Sequence, residues 1–570
     1  MANHDTFAPK LGDFTSSAPP ARLSPLRLVV AAMVFLLSVV MAAGMNASVD
    51  DTFITLTYAR NLVETGFPYW HPSLPPVEGF TSLGHVLLIA LVHATGPDPV
   101  VASAVVTLTS LALLFAALAH ALRGMTFLAY AAGLLTFGAC TSLNTWVSNG
   151  LDAVPYTLAF FLAYLSTLHA HEARRLSILT ALALIGLVLM RPEGMIIAPV
   201  VLVHFWLTNR PTSADRRTSV LLTAAPIVVI FALTAWRLWA FGYPLPNTFY
   251  AKASATRTIE VLQGLEYTWT WVSSSFGALV LATLIAMRLG LTPVVHLCFV
   301  FGTIALVILE GGDSHPESRF FLPLLPLLAV DVARLVNVCS HVPGGNLRAV
   351  AIIIASLLFV RQTDNAAVHH GSRLVPPHLL RGVDKITSDQ KGTLEMVLGS
   401  GASAWAATAQ RLAAVAFTDD QIGAVDVGAI AYVTRRPVLD AMGLNHAGIA
   451  HAPRPEDFAN KWGNLRFDKV AEAAPPIIYP AFPWQTDFSF DDLVTGRHAC
   501  GPLARDLSFR VAPFVDALEE SYLCTAVKDA DSGLVLNFLA HRTAYDTARL
   551  SGLDYTQSNC LPGLVAACPY

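Results

Sequence analysis

LVVAAMVFLLSVVMAAGMN, residues 28–46, decides the class of fold. It carries no charge and approaches the roughly 20 residues that a helix needs to cross the hydrocarbon core of a bilayer. A cleaved signal peptide would have an apolar region of only about 7–15 residues, so this run is read as a retained first span. Arg22 and Arg27 stand just before it, and positive charge marks the cytoplasmic flank of a span. VDDTFITLTYARNLVETGFPYW follows immediately, at 49–70. The chain thus leaves the bilayer on the outer side and meets two adjacent carboxylates at once.

The rest of the chain repeats the apolar signal. Further runs lie near 100–120, 125–143, 154–170, 177–190, 193–208, 219–240, 273–290, 293–309, 320–338 and 348–361, and a short run at 84–95 could cross or be re-entrant. Of 570 residues, 54% are hydrophobic and 13% charged, against about 25% charged in ordinary soluble domains. Mean hydropathy is +0.54. If 84–95 does not cross, the basic clusters at Arg123, Arg174–Arg175, Arg210–Arg217, Arg288 and Arg334–Arg348 all fall on the cytoplasmic side. The expectation is a polytopic α-helical membrane protein of about eleven transmembrane helices, N-terminus in and C-terminus out. Net charge is −4 with no long basic tract, which gives no electrostatic footprint for nucleic acid.

Charge density divides the chain. Residues 362–570 hold 17 basic and 23 acidic side chains, about twice the density of the part before them. The expected organisation is a disordered cytoplasmic N-terminus, 1–26, a transmembrane catalytic domain, 27–361, with its first periplasmic loop at 47–82, and an extracytoplasmic α/β domain, 362–570. In the last, β-like runs at 422–427 and 475–480 alternate with helical stretches at 391–416 and 511–528. Four of the seven cysteines, Cys500, Cys524, Cys560 and Cys568, fall there; an even count in an exported domain suggests two disulfides.

Five polar clusters lie at the expected outer ends of the spans. Asp50 and Asp51 open the first loop; two carboxylates at that depth are costly unless paired or functional, and adjacency perturbs their proton affinities so that one can act as a base. Thr55, Tyr58, Ala59 and Leu62 recur at helical spacing, as in an amphipathic interfacial helix, and Glu78 follows. Asp152 in SNGLD, 148–152, suits a helix N-cap or a site. Arg191 and Glu193 in MRPEG, 190–194, suit an ion pair or a site. FGYPLPNTFYAK, 241–252, offers Asn247 and Lys252. EGGDSHPESRF, 310–320, offers Glu310, Asp313, His315, Glu317 and Arg319; the carboxylates and His could bind a divalent cation, Mg or Ca, or the group could form a salt-bridged turn. Arg319 has the planar fork that suits a phosphate. Carboxylates, Arg and Lys on one side of a bilayer suit group transfer from a lipid phosphate, a carboxylate activating the acceptor hydroxyl and cations holding the departing phosphate. There is no P-loop and no dinucleotide glycine fingerprint.

VDDTFITLTYARNLVETG…VEGFTSLGHVLL, SNGLD, MRPEG, YPLPNTFYAK, GGDSHPESRFFLPLLPLL (311–328) and VDVGAIAYVTRRPVLDAMGLNH (425–446) together resemble, in order, the GT-C glycosyltransferases that use polyprenyl-phosphate sugars, and more narrowly the mycobacterial terminal β-arabinofuranosyltransferase family. The resemblance covers about residues 28–446. It implies a catalytic acidic residue at Asp50 or Asp51, with Tyr58, Glu78, Asp152, Arg191, Glu193, Asn247, Lys252, Asp313, His315 and Arg319 around the sugar and phosphate. It implies a polyprenyl-phosphate-linked donor, a cell-envelope glycan or glycoprotein acceptor, and no required cofactor. Relatives often have Glu where Asp152 stands and an apolar residue at Ser314–His315, which bears on the sugar. The rival readings are the same chemistry on a protein acceptor such as a pilin, a lipid or sugar transporter or flippase, and a catalytically dead binding module.

Overall fold

The computed structural model describes residues 23–44, 49–252, 257–273, 276–313, 315, 317–342, 345–360, 404–416, 420–453, 465–480, 489, 492, 514–528, 530, 533 and 535–559. Sixteen helices among these precede residue 361. They are α1 (Pro25–Ala43), α2 (Asp50–Thr65), α3 (Leu83–His93), α4 (Pro99–Ala121), α5 (Phe127–Gly138), α6 (Thr141–Asn149), α7 (Ala153–Ala173), α8 (Ile178–Met190), α9 (Gly194–Thr208), α10 (Ser213–Phe241), α11 (Asn247–Lys252), α12 (Arg257–Ser273), α13 (Gly277–Arg288), α14 (Val294–Leu309), α15 (Leu325–Ser340) and α16 (Asn346–Val360).

Five of the described helical stretches, at 25–43, 99–121, 153–173, 213–241 and 319–340, are long and apolar enough to cross a membrane, or seven if two bent pairs each count as one span. Eleven straight crossings are therefore not established. The expected run at 125–143 is α5 and α6, bent by 50°. The carbonyl freed near the bend, that of Gly138, accepts from Asn144 Nδ2 at 3.2 Å, and Ser38 on α1 donates to Asn144 Oδ1 at 2.6 Å. A side chain inserted into the helical ladder is an ordinary cause of such a bend. The run at 273–290 belongs to a second bent pair, α12 and α13. Helices α3, α8, α9, α14 and α16 are apolar but shorter. Several carry outward apolar faces (Ile178, Leu179 and Leu182 on α8; Val200, Val203 and Leu207 on α9). Patches of that extent are at home against lipid and not against water. The class is that of a multi-pass helical membrane protein.

Beyond residue 403 the described chain holds helices α17 (Ala404–Ala414) and α18 (Gly428–Thr434) and strands β1 (Ile422–Ala424), β2 (Val438–Asp440), β3 (Ile477–Tyr479), β4 (Tyr522–Lys528), β5 (Val535–His541) and β6 (Asp554–Ser558). They form one mixed sheet in the order β2-β1-β3-β5-β4-β6, parallel at β2-β1-β3 and antiparallel elsewhere. β1 and β3 fall where β-like runs are expected. The expected helix 511–528 is corrected: it is helical only over Val515–Ser521 and then becomes β4, whose Tyr522, Thr525 and Val527 prefer a pleated surface. Cys524 on β4 is disulfide-bonded; Cys500, Cys560 and Cys568 lie outside the described residues.

The sheet domain and the first loop share one apolar core. Phe53, Tyr58, Trp70 and Phe80 pack with Val427, Ile430, Leu444 and Ile449, so α2 is buried on more sides than an interfacial helix would be. α2 also brackets α18 electrostatically. Asp50 accepts from the amides of Gly428 at 2.5 Å and Ala429 at 2.8 Å, at the positive end of α18. Arg60 Nη1 donates at 2.7 Å to the Tyr432 carbonyl, at the negative end. Gly428 is required by this approach, since a Cβ there would lie 2.1 Å from the Asp50 carbonyl oxygen. Gly428→Ala is expected to push α18 off α2 at a cost of about 1–3 kcal/mol. Thermal unfolding in detergent checks this against Gly533→Ala, where a Cβ meets nothing within 4 Å but the positive φ alone costs about 1 kcal/mol.

Candidate active site

A cavity of about 360 Å³ opens between α2, the segment 79–82 before α3, the turn before α7, α9, α11, α12, α14 and the turn before α15. Its wall includes Asp51, Asp152, Arg191, Glu193, Lys252, Asp313 and Arg319. These residues come from five segments spread over some 270 positions, and each sits at or near the end of a helix. The spans thus deliver the polar ends of distant segments to one place.

Asp50 and Asp51 part company because consecutive helical residues point about 100° apart. Asp50 turns to α18 and is nearly buried, whereas Asp51 faces the cavity. Burial, with Asp426 nearby, pushes the Asp50 carboxyl up, although the two amides oppose it. Burial would push Asp51 up too, but Lys252, His315 and Arg319 together hold it below the ordinary aspartate value. His315 Nε2 stands 3.8 Å from Asp51 Oδ2.

Asp313 is the centre of the cationic arm. Arg319 grips it with both prongs, Nε to Oδ2 at 2.7 Å and Nη2 to Oδ1 at 3.0 Å. His315 Nδ1 lies 3.4 Å from Oδ1. Despite burial, Arg319 and His315 hold the Asp313 carboxyl well below its usual range. Both Asp313 oxygens thus accept from one guanidinium. Among the described residues, no three His, Cys, Asp or Glu side chains are grouped as a metal set.

Arg191 forms the second cation. Its Nε donates to Glu193 Oε1 at 2.8 Å and its Nη1 to Asp152 Oδ2 at 3.2 Å. Its guanidinium also lies 4.6 Å from the centre of the Phe320 ring, and that of Arg319 lies 5.3 Å from the same ring. One aromatic ring thus separates two like charges and attracts both.

Besides Asp50, three expected site residues lie elsewhere, and His315, though 3.8 Å from Asp51, is not on the cavity wall. Tyr58 is buried in the shared core, its hydroxyl donating to the Val77 carbonyl at 2.9 Å and accepting from the Gly79 amide at 3.0 Å. Glu78 forms a fully buried pair with Arg237, at 2.9 and 3.1 Å. Asn247 ties α11 to the sheet domain, donating to the carbonyls of Gly443 at 2.7 Å and Leu444 at 2.8 Å. These residues shape the loop that carries the wall and do not form the wall itself. Glu310 of the 310–320 cluster also lines the cavity, and Arg257, Glu260 and Leu444 line it without having been singled out. Arg237 could have been found, because a lone arginine within the apolar run 219–240 requires an internal acidic partner.

The site therefore belongs to a multi-pass membrane protein whose cavity wall brings several carboxylates and several cations together, with Asp51 beside Lys252 and Arg319. The family described as Domain of unknown function (DUF8728) matches residues 395–505. That segment includes the described residues that meet α2 and supply Leu444. No curated protein sequence matches the chain. Among solved structures, the chain is similar to ArnT from Cupriavidus metallidurans bound to undecaprenyl phosphate, with 12% identity, a TM-score of 0.48, and coverage of 91% of this chain and 98% of that one. It is also similar to the archaeal oligosaccharyltransferase AglB from Archaeoglobus fulgidus in complex with an inhibitory peptide and a dolichol-phosphate, with 10% identity, a TM-score of 0.46, and coverage of 95% and 77%.

Proposed function

We propose that the chain is a GT-C-type membrane glycosyltransferase. It moves a sugar, in the narrower reading arabinofuranose, from a polyprenyl-phosphate donor to a cell-envelope glycan on the extracytoplasmic side. The observation that carries this reading is the convergence of VDD, SNGLD, MRPEG, NTFYAK and GGDSHPESRF on one cavity with Asp51 among cations.

The chemistry follows from the charges. The donor phosphate sits against Lys252 and Arg319, with Arg191 behind, and its polyprenyl tail leaves between spans. The acceptor hydroxyl attacks the anomeric carbon, the carbon–oxygen bond to the phosphate breaks, and the phosphate departs with the electron pair. Asp51 takes the hydroxyl proton, and the cations stabilise the growing negative charge on the phosphate. Before donor binds, the same cations make Asp51 a weak base. The single negative charge of the bound phosphodiester offsets part of their pull and raises the proton affinity of Asp51. The base is thus activated when a donor is in place. No divalent ion is assigned a step, since Arg319 and Lys252 carry the charge that a metal would otherwise supply.

The test is a transfer assay with purified protein in detergent, presenting polyprenyl-phospho-arabinofuranose beside polyprenyl-phospho-mannose with a cell-envelope glycan acceptor. Turnover of the first donor supports the narrower reading, and turnover of the second alone corrects the sugar. Binding of both without turnover contradicts the reading as an enzyme of envelope glycans.

The charges also set a pH dependence. A group held below its ordinary value stays ionised, and so competent as a base, until the pH falls through that lowered value. In the free enzyme, kcat/KM is therefore expected to stay level from neutral pH down past the ordinary aspartate range before it falls. Lys252→Met removes a cation that holds Asp51 down and should move this acid limb upward, as a kcat/KM profile will reveal.

A further inference from the structure

Two consecutive non-glycine residues just before Arg319 have left-handed backbone: Glu317 at φ 62° and Ser318 at φ 48°. Each such residue carries strain and persists only where its surroundings over-determine it. The surroundings here are on α6. Trp146 Nε1 donates to the Glu317 carbonyl at 3.2 Å, and Ser142 Oγ donates to the same oxygen. The Trp146 ring then does more than anchor the turn. The Arg319 guanidinium lies 5.3 Å from its centre, and the His315 ring meets it edge-on at 6.1 Å. Trp146 itself is 1% exposed and off the cavity wall. One buried side chain thus touches three parts of the arm that faces Asp51.

We infer that Trp146 is a positioning residue, which with Ser142 holds a strained turn so that Arg319 and His315 face Asp51 in register. This rests on the proposed glycosyl transfer for its chemical consequence but not for its structural one. Misplacing a charge-stabilising group by about 1 Å costs up to about 100-fold in rate. α6 is well suited to the task. It is short, buried along its length, and set at an angle to α5 by the bend, so its indole reaches the turn instead of lipid.

The experiment compares wild type, Trp146→Phe, Ser142→Ala and Trp146→Leu in nanodiscs, with Trp239→Phe, a 79% exposed position, as control. Hydrogen–deuterium exchange of peptides over 317–324 reads the turn without any need for activity. Transfer kinetics read the consequence. The expected result is faster exchange confined to that turn in Trp146→Phe and Ser142→Ala, with kcat down roughly tenfold and donor KM within about twofold. Trp146→Leu, which also loses the ring, should be worse than Trp146→Phe, and the control unchanged in both readouts. Unchanged exchange in Trp146→Phe overturns the inference, as does faster exchange with undiminished kcat. A wild-type protein that transfers nothing counts against the proposed function and leaves the exchange result to judge the turn.

Discussion

Asp51→Asn should abolish transfer, lowering kcat by about 100- to 10,000-fold, the range that a positioned general base supplies, while Asp50→Asn should keep most of it. The two variants alter neighbouring carboxylates by the same atom, so the contrast isolates direction. Asp51 faces the cavity among Lys252, His315 and Arg319. Asn at this position keeps the volume and an acceptor oxygen but cannot take a proton. Asp50 binds the amides of Gly428 and Ala429, and an Asn oxygen can accept at least one of those bonds. Its substitution is expected to cost about 1 kcal/mol of stability, as for a weakened helix cap. Steady-state transfer at fixed donor and acceptor measures the first effect and thermal unfolding the second. The reverse ranking, with Asp50→Asn inactive and Asp51→Asn active, would move the base to the α18 side and empty the cavity of its assigned role.

The largest effect on stability is expected from Arg237→Met. Arg237 and Glu78 are 2% and 1% exposed as side chains, and they pair at 2.9 Å. Removing one partner of a buried pair leaves a charge without compensation and costs about 3–5 kcal/mol. The double variant Arg237→Met, Glu78→Met should recover much of that loss, because an apolar pair of similar volume can replace a buried ion pair. Activity should suffer with the single variant as well. The Glu78 carbonyl accepts from the amide of Asn247 at 2.9 Å, and Asn247 begins the short helix that ends in Lys252. Apparent melting temperature in detergent, read for both single variants and the double, tests the coupling. Equal and additive losses would show that the two side chains do not depend on each other.

Much of this was legible in the sequence, for reasons that individual residues make plain. The apolar run at 28–46 announced a membrane span by length alone, and motifs such as MRPEG announced themselves as charge at the end of apolar helices. Asp51, Arg191, Lys252, Asp313 and Arg319 were singled out on that ground and line one cavity. What was not legible was partnership across the fold. Asp50 looks like Asp51 until the helix phase and the position of Gly428 are known. Glu78 and Arg237 are 159 residues apart, and periodicity carries no information at that range. Trp146 reads as one more aromatic in a membrane helix until the turn at Glu317 is placed against it. The strand β4 was hidden because Val515–Ser521 is helical and no break in composition marks the change at Tyr522.

The central claim is that a sugar leaves a polyprenyl phosphate for an acceptor hydroxyl within this cavity. It is tested most directly by following both products of the wild-type protein in nanodiscs with labelled polyprenyl-phospho-sugar and a glycan acceptor. Released polyprenyl phosphate and glycosylated acceptor should appear in equal amounts, and neither should form when acceptor is withheld. Donor carried across the bilayer with its sugar still attached, and no glycosylated product, would contradict the account and make the protein a carrier of the lipid.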